Sequence, residues 1–257
     1  MPDLQHASLA LVTGGQQGIG KGIARALAMA GFDVAIADLH DKVSGRQMAD
    51  DWQCSQHIES LVCDVSDEQK VAALFDDVQQ RFGRAPDVLV NNAAVQFWKP
   101  LLELSLSEWQ TTLNVNLTGT FLMTQRFARL RQEVGGGVII NLGSGCNKLA
   151  FPNLVSYTAS KGGVEMLTKV SALELGKFGI RVNCLSPGSI ETERTQAETE
   201  DYADQWSPLT PLGRVGTIDD VANAVVALTD DKLRFVSGQT INVDGGLFSR
   251  AVWPQGY

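Results

Sequence analysis

The sequence predicts an α/β protein, a single-domain doubly wound fold with a seven-stranded parallel sheet and helices on both faces, on three observations. Short β-branched runs alternate with longer amphipathic stretches along the whole chain. The short runs are apolar almost throughout, as in Val88-Leu89-Val90 and Val138-Ile139-Ile140, the pattern of strands buried on both faces. A glycine-rich turn, Thr13-Gly14-Gly15-Gln16-Gln17-Gly18-Ile19-Gly20, joins the first strand to the first helix.

The elements follow in order. Leu9-Ala10-Leu11-Val12-Thr13 is the first strand, Ile23, Leu27 and Ala30 mark one face of a helix, and Asp33-Val34-Ala35-Ile36-Ala37 is the second strand, together a β-α-β unit. Further strands are expected near 59–63, 87–91, 137–142, 180–185 and 239–243, separated by helical patterns near 67–82, 105–133, 154–178 and 217–229. Seven strands joined by six crossovers require a parallel sheet covered on both sides. Residues 188–216 are rich in Glu, Thr and Pro and lack periodicity; a loop that long in a compact domain is more often a lid than a filler, which places it over an active site.

Composition narrows the class of function. A chain of 257 residues that is 44% hydrophobic has enough apolar content for one compact core. Its net charge of -8 argues against a nucleic-acid or anionic-membrane surface and for a small-molecule partner. Cys54, Cys63, Cys146 and Cys184 show no C-x-x-C spacing, and the first residues are neither basic nor apolar, so a reducing, cytoplasmic location is expected. His6, His40 and His57 lack metal-ligand spacing, and no metal site is expected.

The glycine turn has two readings. From Gly15 it spells G-x-x-x-x-G-K, a triphosphate loop lacking its last residue; from Gly14 it spells G-x-x-x-G-x-G, a dinucleotide spacing. In both, glycines let backbone N–H groups and a helix start approach a phosphate. The triphosphate loop needs a hydroxyl after its lysine to hold magnesium, and Gly22 stands there. The dinucleotide reading predicts an acidic residue ending the second strand to accept from the adenosine ribose, and Asp38 stands there. That carboxylate repels a 2′-phosphate, so NAD is preferred and NADP is less favoured.

At this point the chain resembles the short-chain dehydrogenase/reductase family, whose T-G-x-x-x-G-I-G motif is matched from Thr13 to Gly20. Asp64-Val65 is similar to the family's adenine contact, Asn91-Asn92-Ala93-Ala94 to its N-N-A-G with Ala94 in place of glycine, and Pro187-Gly188-Ser189-Ile190-Glu191-Thr192 to its P-G-x-I-x-T. Ser237-Gly238-Gln239 and Val243-Asp244-Gly245-Gly246 resemble its C-terminal signature. The resemblance implies a Rossmann fold with cofactor contacts at Gly14, Gln17, Gly18, Ile19, Gly20, Asp38, Leu39, Asp64, Val65 and Asn92. Ile190 and Thr192 are implied near the nicotinamide, and Tyr157 and Lys161 are implied as cofactor contacts, Tyr157 touching the substrate as well.

Tyr157 and Lys161 stand four residues apart, hence on one helical face. In the family this Y-x-x-x-K supplies the catalytic acid/base and the cation that tunes it; a free tyrosine titrates near ~10, and a nearby cation lowers that value. Ser144, thirteen positions before Tyr157, matches the family's catalytic serine, and Asn116 its helix asparagine, which holds a water in the proton relay. The resemblance places the substrate pocket among Gln96, Trp98, Cys146, Asn147, Glu191 and Trp206, with Gly145 and Glu193 beside them. Ser144, Tyr157, Gln96, Asn147 and Glu191 are its polar contacts.

Amides and carboxylates beside aromatics suit a hydroxyl-rich substrate, a sugar or polyol, oxidised at a secondary alcohol or hemiacetal. A 3-oxoacyl-thioester reductase is the alternative enzyme, and an NAD-sensing or scaffolding protein the non-enzymatic one. A homo-oligomer, a tetramer in many relatives, is implied. The aromatic tail 247–257, with Phe248, Trp253 and Tyr257, is expected to pack on a neighbouring subunit.

Overall fold

The computed structural model describes residues 7–249. Its strands are β1 (Leu9–Thr13), β2 (Asp33–Asp38), β3 (Ile58–Val62), β4 (Val88–Asn91), β5 (Gly137–Leu142), β6 (Ile180–Pro187) and β7 (Thr240–Val243). The helices are α1 (Gly18–Met29), α2 (Gly45–Trp52), α3 (Glu68–Phe82), α4 (Leu106–Leu113), α5 (Gly119–Val134), α6 (Val155–Leu175), α7 (Glu193–Glu198), α8 (Tyr202–Trp206) and α9 (Ile218–Thr229). All strand pairs are parallel, in the order β3-β2-β1-β4-β5-β6-β7. The order reverses between β1 and β4, and the crevice outside their carboxyl ends is where such sheets bind ligands.

Strand side chains alternate between two cores, which is why the strands read as unbroken apolar runs. Ala10, Val12, Val34, Ile36, Val88 and Val90 face α1, α2 and α9, packing with Ile23, Leu27, Met48, Val221 and Val225. Leu9, Leu11, Ala35, Ala37 and Leu89 face the opposite layer, with Val71, Phe75 and Val78 of α3 and Met123 and Phe127 of α5. Each face therefore needs its own helical cover.

Three segments differ from the sequence expectation. The link between β2 and β3 contains α2, capped by Ser44, whose hydroxyl accepts from the Gln47 N–H. The single helix expected over 105–133 is interrupted by a π-helical turn at Asn114–Thr118. The 188–216 segment is not structureless: it carries α7 and α8, with Thr192 capping α7.

Candidate active site

At the mouth of the β1–β4 crevice, side chains tie strand end to strand end. The Thr13 hydroxyl accepts from the backbone N–H groups of Asn92 and Ala93, both at 3.0 Å. The Asn92 amide donates to the carbonyls of Thr13 (2.9 Å) and Gly14 (3.0 Å). Gly14 and Gly18 sit at φ +65° and +53°, conformations that side chains disfavour. A Cβ on Gly20 would overlap the Gly14 carbonyl and the Asn92 amide, so α1 begins in direct contact with the turn.

The first turn of α1 has no side-chain cap and no acidic residue. Its N–H groups and positive dipole end are unsatisfied by side chains, which is the donor set a pyrophosphate takes. Gly22 packs against Ile218, where a side chain would overlap, so the chain has no room there for a magnesium-binding hydroxyl. Asp38 ends β2; its Oδ2 accepts from the Gln16 N–H at 3.1 Å and its Oδ1 makes a long contact of 3.5 Å with the His40 N–H. The neighbouring Leu39 is exposed. Asp64 follows β3, its carboxyl held below the usual range by the Ser66 hydroxyl at 2.6 Å and amide at 3.0 Å. Val65 is buried against Gly119.

The second half of the site lies at the ends of β5 and β6. Ser144 caps a short 3-10 turn, Gly145–Asn147, its hydroxyl accepting from the Cys146 N–H at 3.2 Å. Asn147 holds this turn in place: Oδ1 accepts from the Ser144 N–H at 3.0 Å, and Nδ2 donates to the Ser186 hydroxyl of β6 at 2.7 Å. Its amide is committed to the scaffold on both sides and ties the Ser144 turn to β6.

Tyr157 and Lys161 lie in the first two turns of α6, with the ammonium 5.5 Å from the phenol ring centroid. Lys161 is buried and donates to the Leu142 carbonyl at 2.6 Å, two residues before Ser144. Burial pulls its pKa down to about 8, against the opposing influence of the Cys184 and Cys146 thiols. Burial pushes Tyr157 up to about 12, helped by Cys146 and opposed by the neighbouring Ser144 hydroxyl and by the charge of Arg194. Protein groups alone thus raise the phenol, whereas the sequence suggested that Lys161 lowers it. Burial removes water from the phenolate, and that loss outweighs the favourable Ser144 hydroxyl and the charge of Arg194.

Asn116 lies in the π-helical turn and is buried. Its Oδ1 accepts from the Val95 N–H (2.8 Å), and its Nδ2 donates to the Val95 carbonyl (2.9 Å) and the Ser160 hydroxyl (3.1 Å). Ser160 donates in turn to the Tyr157 carbonyl at 2.7 Å. The side chain clamps the segment after β4 to α6 beneath Tyr157, so its amide is engaged by protein. A π-turn at such a point is a frequent functional device.

The remaining pocket residues are arranged more loosely. Gln96 is half-buried and Trp98 is 58% exposed. The Lys99 N–H bonds the Asn153 carbonyl at 2.9 Å, bringing this segment against the start of α6. Ile190 is buried and pairs with Gly216, while Glu191, Thr192 and Glu193 line a cleft with Gln196, Thr217 and Asp219. Trp206 lies 6.2 Å from the Tyr202 ring on α8.

Arg194 escaped the sequence reading, and Phe248 was named only as part of the aromatic tail. Arg194, on α7, brings a positive charge toward Tyr157. Phe248 sits in the 3-10 turn Leu247–Ser249, its N–H bonded to Asp244 at 2.9 Å. Its ring presses on Gly145, where any Cβ would overlap it, and meets Phe151 edge-on at 6.0 Å. The start of the tail therefore packs on its own chain beside Ser144, with a glycine opposite the ring; Trp253 and Tyr257 lie outside the described residues.

Among the described residues, no helix is long and apolar enough to cross a membrane. A family profile described as enoyl-(acyl carrier protein) reductase matches residues 14–248. The chain is 39% identical over 242 residues to a D-threitol dehydrogenase of Mycolicibacterium smegmatis, covering 93% of this chain and 92% of the relative. It is 35% identical over 241 residues to a 3-oxoacyl-[acyl-carrier-protein] reductase of Staphylococcus aureus, covering 93% and 97%. A gluconate 5-dehydrogenase from Burkholderia cenocepacia, solved in complex with NADP and tartrate, matches with TM-score 0.88 and 37% identity over 95% of this chain and 96% of that one. A whole-chain match of this kind, joined to a glycine cradle at the sheet's switch point and a Ser-Tyr-Lys cluster one strand away, shows that the chain belongs to the short-chain dehydrogenase/reductase family, oxidoreductases acting on CH–OH groups.

Proposed function

We propose that this chain interconverts a secondary alcohol or hemiacetal of a sugar or polyol and the corresponding carbonyl, with NAD as the hydride partner. The observation that carries the proposal is the meeting of Ser144, Tyr157 and Lys161 at the carboxyl end of β5, beside a helix start whose N–H groups have no side-chain cap. The cradle fits a dinucleotide: Gly14, Gly18, Ile19 and Gly20 for the pyrophosphate, Gln17, Asp38 and Leu39 for the adenosine ribose, and Asp64 and Val65 for the adenine. Asn92, Tyr157, Lys161, Ile190 and Thr192 would meet the nicotinamide half. When bound, the dinucleotide supplies a hydride donor or acceptor.

The chain's own residues supply the rest. Tyr157 gives a proton to the substrate oxygen in reduction and takes it in oxidation. Ser144 donates a hydrogen bond to the same oxygen, keeping the reacting carbon in place. Lys161 stands near the phenol as an ammonium, and an oxidised nicotinamide would add a second positive charge favouring the phenolate. Asn116 and Asn147 keep these groups in register.

NAD is favoured by the carboxylate of Asp38 at the end of β2, although one solved relative is an NADP complex. The sugar or polyol class draws on the likeness to a D-threitol dehydrogenase and a gluconate 5-dehydrogenase. A 3-oxoacyl-thioester reductase is the second reading, favoured by the likeness to the staphylococcal reductase. A panel of polyols, aldoses, ketoses and sugar acids with NAD and NADP, read by absorbance of the reduced nicotinamide, tests both. Turnover of a 3-oxoacyl thioester with inactivity across the panel reverses their order. Absence of any turnover, with NADH still bound, returns the chain to the sensing class.

The protein is also proposed to be a cytoplasmic homo-oligomer, a tetramer. Met166, Val170 and Leu173 leave α6 as an exposed apolar stripe, with Phe121 on α5 and the fully exposed Phe235 near β7. A monomer mass by light scattering at micromolar concentration removes this proposal.

A further inference from the structure

Gln16 lies within the glycine turn, yet it is buried, 4% exposed, and its side chain bonds nothing in the turn itself. Its amide reaches across to the segment after β2 and to β3. Nε2 donates to the Val43 carbonyl (2.9 Å), the Ser60 hydroxyl (2.6 Å) and, more weakly, Asp41 Oδ1 (3.3 Å). Oε1 accepts from the Val43 N–H at 3.1 Å. Ser60 in turn donates to Asp41 Oδ1 at 2.8 Å. The Gln16 backbone N–H bonds Asp38 Oδ2. One residue therefore grips both the carboxylate that ends β2 and the loop that follows it.

Two neighbours give this grip a consequence. The next residue, Gln17, accepts from the Lys42 ammonium at 2.8 Å, so the loop's cation is parked on the glycine turn. Among the described residues Asp38 Oδ1 has only its long contact with His40, leaving accepting capacity for ribose hydroxyls. A buried amide stripped of its partners costs about 1–3 kcal/mol, so the loop cannot swing away without that loss. A 2′-phosphate, bulkier and doubly charged, requires such a swing and also meets the Asp38 carboxylate.

We propose that Gln16 is the positioning residue that sets the choice between a ribose 2′-hydroxyl and a 2′-phosphate, its side chain locking residues 41–43 beside Asp38 in the hydroxyl-accepting arrangement and keeping Lys42 on Gln17. The proposal rests on the NAD reading above. Releasing the lock frees Lys42 to pair with a 2′-phosphate, so the loop carries the means for the opposite preference.

Fluorescence titration of the full chain with NADH and with NADPH tests this without a substrate. The wild type is expected to bind NADH at least tenfold more tightly. Gln16→Ala is expected to shift the NADH-to-NADPH affinity ratio about tenfold toward NADPH, the fold-change of one lost interaction of about 1.4 kcal/mol. Adding Lys42→Ala to Gln16→Ala should remove the gain for NADPH, which a merely structural role for Gln16 would not predict. Should Gln16→Ala fail to fold, Ser60→Ala loosens the same network and is expected to shift the ratio about threefold. An unchanged ratio in Gln16→Ala, or in Ser60→Ala where only that variant folds, overturns the proposal, as does a gain for NADPH that survives Lys42→Ala. Asp38→Asn separates the two levels: if it moves the ratio and Gln16→Ala does not, only the role of Gln16 falls. A wild type that prefers NADPH, or an Asp38→Asn variant with unchanged ratio, overturns the NAD reading itself.

Discussion

The two crevices at the carboxyl edge of the sheet are built from similar scaffolding and present opposite chemistry. At β1 and β4, Thr13 and Asn92 spend their polar atoms tying strand ends together. At β5 and β6, Asn147 does the same between the Ser144 turn and Ser186. What is left over differs. The first crevice presents backbone N–H groups of α1, whose partial charge does not titrate. The second presents a phenol and an ammonium displaced by burial toward about 12 and about 8. Holding an anion needs fixed dipoles and the absence of side chains, whereas moving a proton needs titratable groups in a place where water is scarce.

The largest effect should come from separating these two functions. Tyr157→Phe is expected to lower turnover about 10³-fold while leaving the NADH dissociation constant nearly unchanged. Retention of more than about a tenth of the wild-type rate would remove Tyr157 from the acid/base role. Because the phenol is raised, it is protonated at neutral pH and ready to give its proton in reduction. Oxidation needs the phenolate and should therefore accelerate as pH rises from about 6 toward about 8, where Lys161 begins to lose its charge. Ultraviolet difference absorption should show the phenol's pKa falling when NAD binds; an unmoved value would break the proposed charge coupling.

The complementary variant is Gly20→Ala. Its methyl group has no space between the Gly14 carbonyl and the Asn92 amide, so the turn or α1 must shift. A loss of about 1–3 kcal/mol in urea unfolding is expected, together with weakened NADH binding. Wild-type affinity in this variant would mean that the close approach of α1 to the turn is incidental.

Asn147→Ala tests whether the catalytic crevice depends on its scaffold as strongly as the cofactor crevice does. It removes the two bonds that fix Ser144 against β6. Displacements of about 1 Å at reacting groups cost about 10²-fold, so kcat should fall by about tenfold to a hundredfold with little change in the NADH dissociation constant. A rise in substrate KM at constant kcat would instead make Asn147 a substrate-binding residue, as its sequence context suggested.

The contrast also explains what the chain reveals before folding. The geometry of the β1–β4 crevice was largely legible, because Gly14, Gly18 and Gly20 are dictated by backbone conformation and close approach and Asp38 by its place at a strand end. The strands were legible because both faces of the sheet are covered. α2 escaped notice because only Met48 and Trp52 among its large side chains are buried, too few for a period to show. The π-turn at Asn114–Thr118 lies inside a stretch whose apolar spacing reads through it as one helix. Gln16 looked like a polar loop residue, and its burial arises only when β2 and β3 bring Asp41, Val43 and Ser60 beside it. Phe248 was recognised as an aromatic in need of cover, but its partner, Gly145, lies over a hundred residues earlier in the chain.

The smallest expected effect lies where the 188–216 segment runs into α9, and it tests whether exposed ion pairs contribute as the buried amides do. Arg214 forks onto Asp220 at 2.6 and 3.0 Å, and Asp220 also accepts from the Thr217 N–H at 2.8 Å in the cap of α9. Arg214 first, then Thr217, hold the Asp220 carboxyl well below its usual range. A depressed carboxylate stabilises the fold above its unfolded value near ~3.9 and loses that contribution as pH falls through the folded value. The pair is well exposed, 54% and 32% for the two side chains, so water and salt screen it. Asp220→Asn keeps one acceptor oxygen for the cap and removes the charge together with the second acceptor of the Arg214 fork. Its melting temperature should lie slightly below wild type at neutral pH, converging with it in strong acid and in about 1 M salt. A large, salt-independent loss would show that Asp220 acts through the cap rather than through Arg214, placing it with the buried amides of the two crevices.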